Sequence, residues 1–427
     1  MATLNVRTAS DLAYLIPPKW LRKVRMDANQ AEFFGKLSGA EDSRSMIITN
    51  NDFTKEPGDT ISISCESELY GAGKSGENQL ATYEEKAQLN QFTIQVELYR
   101  HAEALSRKAN EIAMVKEIIK AGGRLSRWIA KKRDDLVFAE LFSPENATAS
   151  TVYAGAATSQ ATLSTSCRFS LDFIDKCKLA LVRKGAKPME IVDSKTGEKL
   201  PMYTCIMDEV SAFRLFSATD WRNAVQAMLP RSFDHPLVRG ALGMWNGVLL
   251  TQYSSINQGC HQGTPLRPEC SAEAGATVLD NTTSRTILCV GADDGRDYTK
   301  NFRDPAVTLQ TEKVYANVAG TQTEYSYTGL TTYSFTGISG TLGQTVADGS
   351  RITAEKNEAR CIFTGAEAVG RCWAERDSEI TQVEDYGMDL GVGLEMMIGQ
   401  GVIEDSAGGV PNYIIGSVYS DSPSYQI

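Results

Sequence analysis

An α+β chain with a long extended arm is the fold class predicted here, and three observations predict it. Two stretches, 60–66 and 91–98, alternate strictly between apolar and polar residues around a glycine-rich tip. A run of helical period follows, from Ala102 to Phe142. A Thr-, Ser-, Gly- and Tyr-rich stretch, 296–358, then interrupts core-type sequence. With 427 residues, 42% of them hydrophobic, there is material for two or three lobes around substantial cores.

Taken in order, residues 1–56 read as an N-terminal arm. Apolar clusters at Leu12–Ile16 and Trp20–Val24 are split by Pro17-Pro18, which breaks any continuous helix. Phe33, Phe34 and Leu37 form a third anchor. Residues 57–100 read as an extended hairpin. Pro57-Gly58-Asp59 is a turn, Ile61, Ile63 and Cys65 form one apolar stripe, and Phe92, Ile94, Val96 and Leu98 form the other. An isolated hairpin is marginal in water, so this stripe needs a surface to rest on. The helix predicted over 102–142 carries Leu105, Ala109, Ile112, Val115 and Ile119 on one face. Gly122-Gly123 predicts a kink, and Ser143-Pro144 ends it. Further on, a helix is expected near Ser170–Lys184 and a strand at Met202–Met207. Ser217 or Thr219 reads as the cap of a helix carrying Trp221. Buried-type runs follow at Val248–Leu250 and Thr286–Val290. Stretch 296–358 is a β-rich insertion, Cys361–Thr364 returns to core sequence, and a helix is expected through Val369 and Trp373. The segment 385–401 reads as strand punctuated by glycine.

The formal net charge of -10 argues against the basic surface of general nucleic-acid binders, though not against a protein that encloses DNA without gripping it. The N-terminus lacks a signal-peptide pattern, and no run approaches the ~20 apolar residues of a membrane helix. Nine cysteines without a C-x-x-C pair read as reduced thiols, most of them in the core; a Cys260–Cys270 disulfide is the alternative for that loop.

Gly71–Ser75 contains Gly-Lys-Ser, but the phosphate-loop pattern needs glycine where Glu68 stands, and a carboxylate there repels phosphate. A hairpin tip is the better reading, with no catalytic role for Lys74. His101, His235 and His261 show no zinc spacing. The acidic residues Glu375, Asp377, Glu379, Glu384 and Asp385 read as a surface loop ahead of a divalent-ion site. Lys131-Lys132-Arg133 reads as a solvated helix face beside Asp134-Asp135. No catalytic residue, cofactor or metal is therefore expected, and the chain is not expected to be an enzyme.

The order of elements carries a resemblance. Arm, long hairpin, long helix and mixed body resemble the coat-protein fold of tailed phages and herpesviruses. Within that fold the chain is most similar to the major capsid family of short-tailed phages of the N-four type. The matching stretches are Trp20–Gly39 with Phe33-Phe34-Gly-Lys-Leu37, Lys55–Asp59 leading to Leu69–Gly76 and Tyr83-Glu84-Glu85, the helix end Trp128–Phe142, Thr219–Trp221, His235–Leu237, Phe363–Ala368 and Glu384–Gly387. Residues 256–283 and 296–358 fall outside it. The resemblance implies a coat-protein fold with an N-terminal arm (1–56), an extended loop (57–100), a peripheral domain on a spine helix (101–200) and an axial domain (201–427) holding the insertion. It implies a structural subunit that self-assembles into pentamers and hexamers of an icosahedral shell around phage DNA. Portal, scaffolding and decoration proteins are its implied partners, and the host bacterial cytoplasm its place of assembly. Trp20, Phe33, Phe34, Gly71, Lys74, Glu84, Glu85, Phe92, Ile94 and Val96 are the expected intersubunit contacts. A bacterial nanocompartment shell of the same fold and a nucleotide-hydrolysing enzyme using Gly71–Ser75 are the alternatives.

Overall fold

The computed structural model describes residues 26–29, 31–40, 43–50, 60–66, 89–106, 117–142, 151–158, 162–192, 199–222, 243–253, 266, 269–271, 287–288, 302, 305, 312–318, 321–331, 334–340, 351–354, 358–384, 388–405 and 410–419. The chain divides into two compact units, 1–140 with 367–410 and 141–366 with 411–427. The chain crosses between the units at the end of the long helix and at two later points.

Unit 1 begins with a helical turn at 26–29 and a 3-10 turn at Phe34–Leu37, then β1 (Ser38–Gly39) and β2 (Ile47–Asn50). β3 (Thr60–Glu66) and β4 (Leu89–Gln95) pair antiparallel from Thr60↔Gln95 to Glu66↔Leu89, which is the expected two-stranded hairpin. The tip lies outside the described residues. The next element corrects the sequence reading. Glu97–Ser106 is a strand, β5, and not the start of the long helix. Its Ala, Glu and Leu residues favour helix locally, but tertiary pairing overrides so weak a preference. The two faces of β5 also differ: His101 stacks on Trp128, whereas Leu98 is exposed.

The helix α1 spans Glu117–Leu141 and runs through Gly122-Gly123 without interruption. Nothing lies within 4 Å of the Cβ position of Gly123, so the glycine costs local propensity but meets no steric demand to kink. Leu125, Ile129, Val137, Phe138 and Leu141 are buried along one side. Leu125 and Ile129 form a core with Val392, Leu394, Met396 and Ile398.

Unit 2 is built on a mixed sheet. Its strands are β6 (Thr151–Tyr153), β7 (Met189–Val192), β8 (Lys199–Met207), β9 (Gly243–Trp245), β10 (Val248–Gln252) and β19 (Glu358–Thr364), with β24 (Tyr413–Tyr419) from the chain's end. The order is β6-β24-β19-β8-β10-β9, with β7 against the far end of β8. β19 is buried at every position, as a strand covered on both faces must be. The helix α2 (Leu171–Arg183) starts where Ser170 accepts a hydrogen bond from the Phe173 amide, and it buries Phe173, Ile174, Cys177 and Leu181. Gly416 makes this seating possible. A Cβ there would stand 2.6 Å from Cys361 Sγ and 2.8 Å from the Phe173 ring. A helix not foreseen, α3 (Glu209–Ser217), follows β8 and is capped by Asp208, which accepts from the Ser211 amide. Ser217 thus ends one helix rather than starting the next. The Ala218 carbonyl accepts from the Arg222 amide as a new turn begins.

The insertion has its own core. From the predicted stretch, β13 (Glu312–Val318), β14 (Thr321–Tyr327), β17 (Ser339–Gly340) and β18 (Arg351–Ala354) form one sheet, which β11 (Glu269–Ser271), lying before that stretch, extends in the order β11-β18-β13-β14-β17. β12 (Ile287–Leu288), β15 (Gly329–Thr331) and β16 (Ser334–Thr336) form a smaller one. Val314, Ala316, Tyr325, Tyr327, Phe335 and Ile352 pack together, with Cys270 buried among them. Cys260 lies outside the described residues. Cys167, Cys177, Cys205, Cys270, Cys361 and Cys372 are free thiols buried in the cores, as the composition led us to expect.

The chain returns to unit 1 as β20 (Val369–Glu384) and β21 (Asp389–Val402). The helix expected through Val369 and Trp373 is therefore a strand. Its spacing fits a helix, but β20 pairs with β2 on one side and β21 on the other, so its backbone groups are satisfied as sheet. The sheet order is β1-β2-β20-β21-β5. Gly399 lets β4 cross this sheet closely: a Cβ there would meet Gln95 O at 2.5 Å and Ile94 Cγ2 at 2.9 Å.

Candidate assembly interface

Among the described residues the β3–β4 ladder joins no other sheet. In its register Phe92 stands opposite Ile63. The apolar stripe on β4 does not continue unbroken. Ile94 (1% exposed) and Val96 are buried within unit 1 against Cys372, Ala374 and Met397, whereas Leu98 is 48% exposed. The residue between β4 and β5 is where the chain leaves one ladder for another, and there the alternation changes its meaning. Ile94 and Val96 therefore have their apolar area covered by their own subunit. Trp20, Gly71, Lys74, Glu84 and Glu85 lie outside the described residues.

The root of the arm is tied down firmly. Phe34 is buried and meets Phe138 edge-on at 5.0 Å, while Phe33 is half-buried and contacts Phe34 at 5.1 Å. Their amides donate to the Asp134 carboxylate, Phe33 N at 3.1 Å and Phe34 N at 3.2 Å. Beside this carboxylate lies a buried ionic cluster. Arg133 Nη2 donates to both oxygens of Asp377 at 2.7 and 2.6 Å, and Arg133 Nη1 donates to Glu32 at 3.2 Å and to Asn29 Oδ1 at 3.0 Å. Arg371 Nη1 donates to the other Glu32 oxygen at 2.6 Å. The Arg133 guanidinium also lies over the Trp373 ring, 4.8 Å from its centroid. All five charged residues are buried.

This cluster corrects two sequence readings. Arg133 and Asp134 do not belong to a solvated helix face, and Asp377 does not belong to a surface loop. A signal was present: Arg133 lies four residues from both Ile129 and Val137, and Asp134 four from both Ala130 and Phe138, on the buried side of α1. Charge on an apolar stripe marks a buried partner. Burial pushes the Asp134 carboxyl up to about 7, against the downward pull of the two amides. Among the described residues no group of His, Cys, Asp and Glu side chains is arranged to hold a metal.

Comparison with known proteins says what the chain is similar to. The sequence matches a family described as phage capsid protein over residues 6–291. No protein of curated function matches it. In fold the chain is similar to the capsid of Ralstonia phage GP4, with a TM-score of 0.61 and 16% identity over 92% of each chain. The head structure of Helicobacter pylori bacteriophage KHP40 follows with a TM-score of 0.54 and 12% identity over 91% of each chain. The capsid of cyanophage Pam1 has a TM-score of 0.51 and 14% identity, covering 91% of this chain and 92% of that one. The α+β coat-protein fold is thereby established. Because the family match spans more than half of its length, this chain belongs to the phage capsid protein family, as a structural subunit of the virion's multi-subunit shell.

Proposed function

We propose that the subunit forms pentamers and hexamers of an icosahedral shell that encloses phage DNA. Portal, scaffolding and decoration proteins are its partners, and assembly takes place in the host bacterial cytoplasm. The observation that carries the reading is the β3–β4 ladder, which joins no other sheet among the described residues. A two-stranded ladder alone is marginal in water and gains stability on a neighbour's surface. Trp20, Phe33, Gly71, Lys74, Glu84, Glu85 and Phe92 are the contacts this reading assigns to neighbouring subunits. The phage family match favours a DNA shell over a cargo-holding compartment. The net charge of -10 suits a container that does not grip its contents.

Deleting residues 71–80 tests the reading. The variant is expected to keep the parent's circular dichroism while forming no particles in electron micrographs, with scaffold present. Normal shells from the variant, or a parent chain that light scattering finds monomeric under every condition, would count against it.

A further inference from the structure

The ionic cluster at the arm root is unbalanced in charge. Among the described buried residues it contains three carboxylates, Glu32, Asp134 and Asp377, and two guanidiniums, Arg133 and Arg371. Asp377 takes two hydrogen bonds from Arg133, and Glu32 takes one from each arginine. Asp134 takes none from either; its bonds come from the Phe33 and Phe34 amides. One carboxylate therefore has no cation bonded to it in a buried site, where an uncompensated charge is costly. Some donors are unsatisfied as well. Arg133 Nε and Arg371 Nε and Nη2 are buried without a hydrogen-bond partner. In a low-dielectric interior such unpaired donors are costly.

The parts come from separate stretches of chain. Glu32, Phe33 and Phe34 belong to the arm root, Arg133 and Asp134 to α1, and Arg371 and Asp377 to β20. A pocket of about 440 Å³, lined by Asn29, Glu32, Gly35, Arg133, Arg371 and Asp377, brings solvent to the edge of the cluster.

We propose that Asp134 is the titrating element of a proton-controlled clasp that holds the arm root, Asn29 to Leu37, on α1. One proton on Asp134 brings the cluster to neutrality, two carboxylates against two guanidiniums. Loss of that proton leaves one negative charge in excess beneath the Phe33 and Phe34 amides. The charged groups facing it are Glu32 from the arm root, Arg371 and Asp377 from β20, and Arg133 from its own helix. When the arm root lifts, Asp134 meets water and its affinity for the proton returns to that of an ordinary carboxyl. The clasped state therefore binds the proton more tightly than the released one, consistent with the upward shift that burial gives Asp134. Closure is strongest below the ordinary carboxylate range. It weakens by up to about tenfold per pH unit as pH rises toward neutrality, and levels off above that. Release would loosen the base of the arm and leave the α1 core in place.

Hydrogen exchange on the full-length protein tests this. Protection factors for the Phe33 and Phe34 amides, corrected for intrinsic exchange rates, are measured from pH 5 to 8. Wild type is expected to lose protection by one to two orders of magnitude, about tenfold per unit at most, with a plateau near neutrality. Asp134→Asn, neutral at every pH, is expected to give a flat profile. Asp377→Asn removes one of the three charges by another route and is expected to move the midpoint to lower pH, so the idea remains testable if Asp134→Asn folds poorly. Protection in wild type that does not change with pH overturns the clasp. So does a wild-type slope that survives in Asp134→Asn, or an Asp377→Asn midpoint that stays put.

Discussion

Arg133 shows how far a single residue can depart from its apparent role. In the sequence it ends a basic run and precedes two acids, the pattern of a solvated face. In the fold it is 4% exposed at the side chain, shared between Glu32 and Asp377. Local sequence could not supply these partners, because they lie 101 and 244 residues away. Only the helical position of Arg133, in step with Ile129 and Val137, carried the information. Cysteine was easier to read: a small apolar side chain with no partner spacing belongs in a core wherever the chain runs. The consequence for Arg133 can be measured. Arg133→Met keeps the length of the side chain but leaves Asp377 buried without its cation. Breaking a buried pair from one side costs on the order of 3–5 kcal/mol. The urea midpoint should fall accordingly. Lys131→Ala, two residues earlier and partly exposed, should stay within about 0.5 kcal/mol of the parent.

At the scale of elements, periodicity succeeded where one face alone is buried. The hairpin strands, α2 and the body of α1 follow their patterns, since a stripe of one period leaves few alternatives. It failed at β5 and β20. Both contain short stretches of helical spacing, and both are strands because partners far along the chain complete their hydrogen bonds. The β4 stripe contains a subtler lesson. Alternation shows that Ile94 and Leu98 share a character, but not that one is covered by the same chain and the other exposed. Substituting each with aspartate separates folding from assembly. Ile94→Asp puts a charge beside Gly399 and Gly401 among the apolar side chains of Cys372 and Met397, and should yield unfolded or aggregated subunits. Leu98→Asp should leave the circular dichroism and unfolding midpoint unchanged and lower only the yield of particles. Equal loss of folded protein in the two variants would show that the crossing of β4 over β21 has been misjudged.

For the whole molecule, the order of paired strands, long helix and mixed body was legible, because each of these has a local signature. The division into units was not. Unit 1 is completed by residues 367–410, and its sheet is closed by strands from both ends of the chain. No local pattern encodes such a return. The insertion is the opposite case. Its composition announced it, and its core forms a cluster of its own, sharing no residue with the principal core of unit 2. Phe335 sits at the middle of that cluster, fully buried, with Phe302 at 5.0 Å and Tyr327 at 5.1 Å. Phe335→Ala removes an aromatic ring from a closed site, at a cost of roughly 3–5 kcal/mol. If the insertion is an independent cooperative unit, that cost falls on it alone. Amide protection should drop across β13, β14 and β18 while β8 and β19 keep theirs. Particle formation should persist, because the arm, the hairpin and the α1 core are untouched. A parallel loss of protection in β8 and β19 would mean instead that the insertion and the main sheet fold as one, and that the shell cannot tolerate a weakened insertion.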